Sequence, residues 1–68
     1  MKNTLKVQRA IKNMTQAELA DLIQVSRQTI NTIESGKYVP STVLALKIAR
    51  IFEVPVENIF MLEEIDYS

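Results

Sequence analysis

Two helix-start signals stand close together in this chain, and they constrain its fold more than any other feature. In the run TQAELADLIQVSRQTINTIESGK, Thr15 is followed three residues later by Glu18. That is a capping box, in which the hydroxyl accepts an orphan N–H and the carboxylate reaches back to the N-cap amide. Ser26 suits the N-cap of a second helix. Leu19, Leu22 and Ile23 share one face of the first helix with Ala20, whose small side chain lets another helix approach closely. Ile30 and Ile33 form the buried side of the second, and Gly36 supplies its C-terminal stop. The spacing predicts two short helices, over about 16–23 and 27–34, on either side of a three- or four-residue turn.

The rest of the chain is legible in the same terms. Val7, Ala10, Ile11 and Met14 recur at helical spacing with Leu5 on the flank, which predicts a helix over about 4–13 with that stripe inward. Pro40 and Ser41 close a loop, and Ser41 caps a helix over about 42–52. There Val43, Leu44, Leu46, Ile48, Ile51 and Phe52 leave little polar circumference, so it reads as the core spine. Pro55 fits the first turn of a brief helix over about 55–60 with Ile59 and Phe60 inward. The expectation is an all-α, five-helix single domain over residues 1–68. Its tail, 61–68, reads as a short strand, a fraying end or part of a subunit contact.

Composition removes several functions. The 68 residues contain no cysteine and no histidine, so disulfides, thiolate metal sites and the commonest general base are all missing. Catalysis would rest on carboxylates or lysines, and the acids after Phe52 are scattered without metal-ligand spacing. The chain is therefore expected not to be an enzyme and to carry no metal or cofactor. Nothing resembles a signal peptide, and no apolar run reaches the roughly 18 residues of a membrane span, so a cytoplasmic location is expected. Formal net charge is zero, yet residues 1–50 hold all eight bases against three acids, while 51–68 hold five acids and no base. Such a dipolar chain can turn a cationic face to a polyanion.

Two short helices about a tight turn are the geometry in which the second helix enters the DNA major groove and the first crosses the backbone. Ala20, Ile23, Val25, Ile30 and Ile33 take the inward positions, leaving Arg27, Gln28, Asn31 and Thr32 outward. These are base-edge readers by chemistry. Arg bridges guanine O6 and N7, Gln or Asn bridges adenine N6 and N7, and the Thr methyl meets thymine. A merely solvated face usually carries Glu and Lys in quantity, and this one has neither.

The runs TQAELADLIQVSRQTINTIESGKYVPS and ALKIARIFEVPVENIF resemble the Cro/C1-type (XRE-family) helix-turn-helix domain of bacterial and phage repressors, in its small stand-alone bacterial form. The resemblance covers residues 4–60 and implies a lambda-repressor-like fold. It implies that Gln16 bonds a phosphate through its side chain, and that Arg27, Gln28 and Thr32 read bases, with Asn31 a base or phosphate contact. Ser26, Ser35, Lys37, Tyr38 and Ser41 would lie along the DNA backbone, although Tyr38 and Ser41 serve as well for packing the loop and capping a helix. It further implies a partly buried ion pair between Arg9 and Glu34, a structural role. One departure stands out: the family usually has Gly where this chain has Gln24, at a position expected to need positive φ.

One module reads only a few base pairs, so the resemblance implies a homodimer on a palindromic operator, acting in transcription regulation as a repressor. With no separate oligomerisation domain in the sequence, Ile59, Phe60, Met61, Leu62, Ile65 and Tyr67 are the candidate dimer contacts, though Ile59 and Phe60 serve equally well to complete the monomer core. Double-stranded DNA is the expected partner, and no small-molecule effector is evident. The alternative is an antitoxin-like protein-binding module that also binds DNA to regulate itself, for which an eight-residue tail is short.

Overall fold

The computed structural model describes residues 1–67. Four α-helices carry the domain: α1 (Leu5–Ile11), α2 (Gln16–Ile23), α3 (Arg27–Glu34) and α4 (Thr42–Phe52). Two short strands, β1 (Lys2–Asn3) and β2 (Phe60–Met61), pair antiparallel, with Lys2 opposite Met61 and Asn3 opposite Phe60. Three of the helices begin on hydroxyl caps. Thr15 Oγ1 accepts from the Glu18 amide at 3.0 Å while Glu18 Oε1 accepts from the Thr15 amide at 2.9 Å, so the capping box forms. Ser26 and Ser41 accept from the amides of Thr29 and Leu44, which satisfies donors that no helical carbonyl can reach.

The all-α class holds, but the fifth helix does not form. Pro55 leads only into a 3-10 turn at Val56–Asn58, after which the chain straightens into β2. Phe60 and Met61 pair with Asn3 and Lys2 instead of continuing the turn, and the carbonyls just before them are bonded by the residue that follows β1. Thr4 donates its amide to the Ile59 carbonyl at 2.8 Å and its hydroxyl to the Asn58 carbonyl at 2.7 Å. Of the alternatives for the tail, the strand is realised only at its first residue, Met61. A second 3-10 turn follows at Glu64–Tyr67.

Two apolar faces turn out differently from the expectation. On α1, Leu5 is buried, whereas Val7 and Ile11 are 57% and 70% exposed and Ala10 is exposed too. A helix of 100° per residue puts Leu5 and Arg9 on one side and Val7, Ala10 and Ile11 on the other. The side bearing Arg9 is the one that turns inward. On α4 only Ile48, Ala49 and Phe52 are buried, and Val43 and Leu46 face solvent, because this helix packs against α2 and the 3-10 turn and has no layer beyond it. The core joins these side chains to Leu5, Leu19, Ala20, Ile23, Ile30, Ile33, Ile59 and Phe60. Ile59 and Phe60 therefore complete the monomer.

Each α-helix is followed by a residue in the left-handed region: Asn13, Gln24, Gly36 and Glu53, with φ of 53°, 60°, 79° and 56°. Only one of the four is glycine. Gln24 is the sharp bend between α2 and α3 (φ 60°, ψ 47°), which lets the Val25 amide return to the Ala20 carbonyl at 3.0 Å. A Cβ in this conformation costs about 1–3 kcal/mol, partly offset by the greater unfolded-chain entropy of glycine, about 0.5–1 kcal/mol. Gln24→Gly is accordingly expected to leave stability unchanged or raise it by about 1 kcal/mol, measured by urea unfolding; a lowered midpoint would contradict the strain.

Candidate functional site

The outward face of α3 is set by what its inward face buries. Ile30 and Ile33 are essentially inaccessible, so Arg27, Gln28 and Asn31 point to solvent. With Gln16 from the start of α2 they line one cleft. Thr32 is half-buried and lies apart from that cleft, in a shallow depression with Thr29, Lys37 and Tyr38. Its one hydroxyl hydrogen is shared between the Gln28 and Thr29 carbonyls at 3.1 and 2.9 Å, which leaves the methyl and an acceptor oxygen, but no donor, to meet a partner. Ser35 turns its hydroxyl onto the Thr32 carbonyl. Ser26 and Ser41 are exposed with their hydroxyls engaged as caps.

Behind this face lies the ion pair. Arg9 meets the Glu34 carboxylate through two nitrogens, Nε to Oε2 and Nη2 to Oε1, the second at 3.0 Å. Its third donor group, Nη1, reaches the Met14 carbonyl at 2.8 Å. The side chains are 14% and 7% exposed, so the pair is sheltered from solvent and joins α1 to the end of α3. Glu34 Oε1 also accepts from Gln16 Nε2 at 3.1 Å, and the same nitrogen lies 3.4 Å from Asn31 Oδ1. Burial pushes the Glu34 carboxyl up, but hydrogen bonds from Arg9 and Gln16 outweigh it and hold the group below the ordinary carboxylate range. The guanidinium rises in turn, chiefly through its hydrogen bond to Glu34. The only acid on α3 is thereby neutralised from behind.

A helix-turn-helix family model matches residues 5–59. The chain belongs to the Cro/C1-type helix-turn-helix family. Among its relatives is the uncharacterized HTH-type transcriptional regulator MJ0272 of Methanocaldococcus jannaschii, 56% identical over 94% of this chain and 97% of that protein. An uncharacterized HTH-type transcriptional regulator of Archaeoglobus fulgidus is 50% identical over 94% of this chain and 90% of its own length. The corresponding protein YgzD of Bacillus subtilis is 47% identical, with 94% and 97% covered. Archaeal relatives thus stand beside a bacterial one, which widens the bacterial setting expected from the sequence.

Within this helix-turn-helix domain the candidate dimer residues divide. Ile59 is fully buried and Phe60 nearly so, which removes them as free contact surface, since their side chains already fill the core. Met61 is half-buried in β2, while Leu62, Ile65 and Tyr67 are 60%, 74% and 76% exposed. Among the described residues no three Asp or Glu converge as metal ligands, and no helix is long and apolar enough to cross a membrane. Sequence reading missed Asn3 and Thr4. Asn3 donates Nδ2–H to the Ile33 carbonyl at 2.9 Å and accepts from the Leu5 amide at 3.1 Å, locking β1 to the end of α3. The available signal was two cap-type side chains placed just before an apolar periodic run.

The ion pair makes a pH-dependent prediction. The folded Glu34 carboxyl titrates below the unfolded one, so its stabilisation is fully present above the unfolded value of about 4.3 and is lost as pH falls through the folded value. Arg9→Ala is expected to cost about 3–5 kcal/mol near neutral pH, and the loss should shrink as the carboxyl protonates. Urea unfolding across the acid range checks both; equal stability of the variant at neutral pH would show that the pair contributes nothing.

Proposed function

We propose that this protein is a sequence-specific, double-stranded-DNA-binding transcriptional regulator, acting in the cytoplasm as a homodimeric repressor on a palindromic operator. The observation that carries the reading is the face of α3. Arg27, Gln28 and Asn31 share one exposed cleft with Gln16, and the single acid of the helix is held by Arg9 behind it. A polyanion therefore meets donors and no unpaired carboxylate on this helix. The relatives named as HTH-type transcriptional regulators, matched over nearly their whole length, support the same role. Arg27, Gln28 and Thr32 read base edges, with Asn31 beside them. Lys37, Tyr38 and Ser35 follow the backbone, as Ser26 and Ser41 do at the helix starts.

The two-fold arrangement is supported by the tail. Leu62, Ile65 and Tyr67 leave apolar side chains largely in water, more than an isolated small domain gains from exposing. A second copy covering them gives two reading helices, and the combined site becomes long enough to be selective.

Selection of bound duplexes from a random pool is expected to return a palindrome with half-site centres about 34 Å apart. Binding should weaken with salt by roughly 0.9 log units of affinity per log unit of salt for each phosphate neutralised. Arg27→Ala should cost the selected site about 1–3 kcal/mol while leaving nonspecific binding nearly intact. A salt-insensitive complex, or a pool that yields no consensus, would overturn the proposal.

A further inference from the structure

The ion pair does more than join two helices, because its free carboxylate valence runs outward to the reading face. A carboxylate only accepts hydrogen bonds, so the group of Gln16 that faces Glu34 Oε1 at 3.1 Å must be its NH2. That nitrogen also lies 3.4 Å from Asn31, and a donor there requires an acceptor opposite. Asn31 must therefore turn its carbonyl oxygen back toward α2. Chemistry fixes the sense of both amides in sequence, from Arg9 through Glu34 and Gln16 to Asn31.

We propose that Arg9, Glu34 and Gln16 form a relay that holds Asn31 as a hydrogen-bond donor on the DNA-reading face, making Asn31 a specificity-determining residue for guanine over adenine. The inference rests on the DNA-binding role proposed above. A bidentate grip on adenine needs the asparagine oxygen and nitrogen both aimed at the base, to meet N6–H and N7. With Oδ1 engaged behind it, Asn31 presents Nδ2–H alone. Guanine offers two acceptors at the major-groove edge, N7 and O6, whereas adenine sets a donor amine beside its one acceptor and cytosine offers a donor only. The same relay changes the part of Gln16. Both of its side-chain hydrogens are committed, one to Glu34 and one to Asn31, so it acts as a positioning residue and does not donate to a phosphate.

Random-pool selection with the intact protein tests this. Asn31→Ala should flatten the preference at one operator position per half-site and so identify the base pair that Asn31 faces. At that position the unaltered protein is expected to favour guanine over adenine by roughly 2–10-fold, the range of one net hydrogen bond. Gln16→Met, which keeps length and removes the donor, should free the Asn31 amide to turn and shift the preference to adenine. Other positions and the salt dependence should not move. Adenine in the parent consensus, no position flattened by Asn31→Ala, or guanine retained by Gln16→Met overturns the relay. So does a uniform loss of affinity with a salt slope reduced by about 0.9, the mark of a lost phosphate contact. Failure of the parent to select any duplex overturns the DNA-binding role itself, a distinct result. Should Gln16→Met not fold, side-chain amide exchange in the parent decides: Gln16 hydrogens should exchange with water more slowly than those of Gln28, and equal rates would refute the relay.

Discussion

The domain is organised around one guanidinium. Arg9 uses its Nε, Nη1 and Nη2 groups on the Glu34 carboxylate and the Met14 carbonyl, and this arrangement decides which side of α1 enters the protein. Turning the Val7, Ala10 and Ile11 stripe inward would bury more apolar surface, on the order of 25 cal/mol per Å2. It would also point Arg9 into water and leave Glu34 beside the core without a cation. A carboxylate stranded there costs several kcal/mol, so the charge pairing wins and the apolar stripe is left outside.

The helix pair that faces the proposed DNA partner inherits its rigidity from this arrangement. Ser26 and the capping box at Thr15 fix the two helix starts, Gln24 bends the chain between them, and the ion pair sets the end of α3 against α1. The reading side chains then stand on two helices with few degrees of freedom, a preorganised surface. Their chemistry is unequal, however. Arg27 and Gln28 make no side-chain hydrogen bond within the described residues, Thr32 turns its hydroxyl hydrogen onto its own helix, and Asn31 is held from behind.

Local signals were the legible ones. Thr15 with Glu18, Ser26 and Ser41 marked the starts of α2, α3 and α4, where the bond that forms spans three residues of sequence. The inward isoleucines of α3 followed from spacing alone, and the family resemblance supplied the Arg9–Glu34 pair. What eluded the pattern depends on partners far away in the chain. Val7 and Ile11 form as good a helical stripe as any, and it is turned outward as Leu5 enters the core and Arg9 meets a carboxylate 25 positions away. The helix expected after Pro55 gives way to a strand because Phe60 and Met61 pair with Asn3 and Lys2, more than 50 positions earlier in the chain. Periodicity reports what a segment could bury, whereas the choice between faces is made by tertiary contacts.

The Asn3 carboxamide has a consequence for motion. It bonds the last turn of α3 while β1 is paired with β2, so the end of that helix cannot fray without breaking a contact made by the first strand. Segments that open alone do so at small free-energy cost, and those tied to distant strands open only with the whole. The recognition helix, only eight residues long, thereby joins the cooperative unit of the fold and keeps its ordered state for as long as the two ends of the chain stay together.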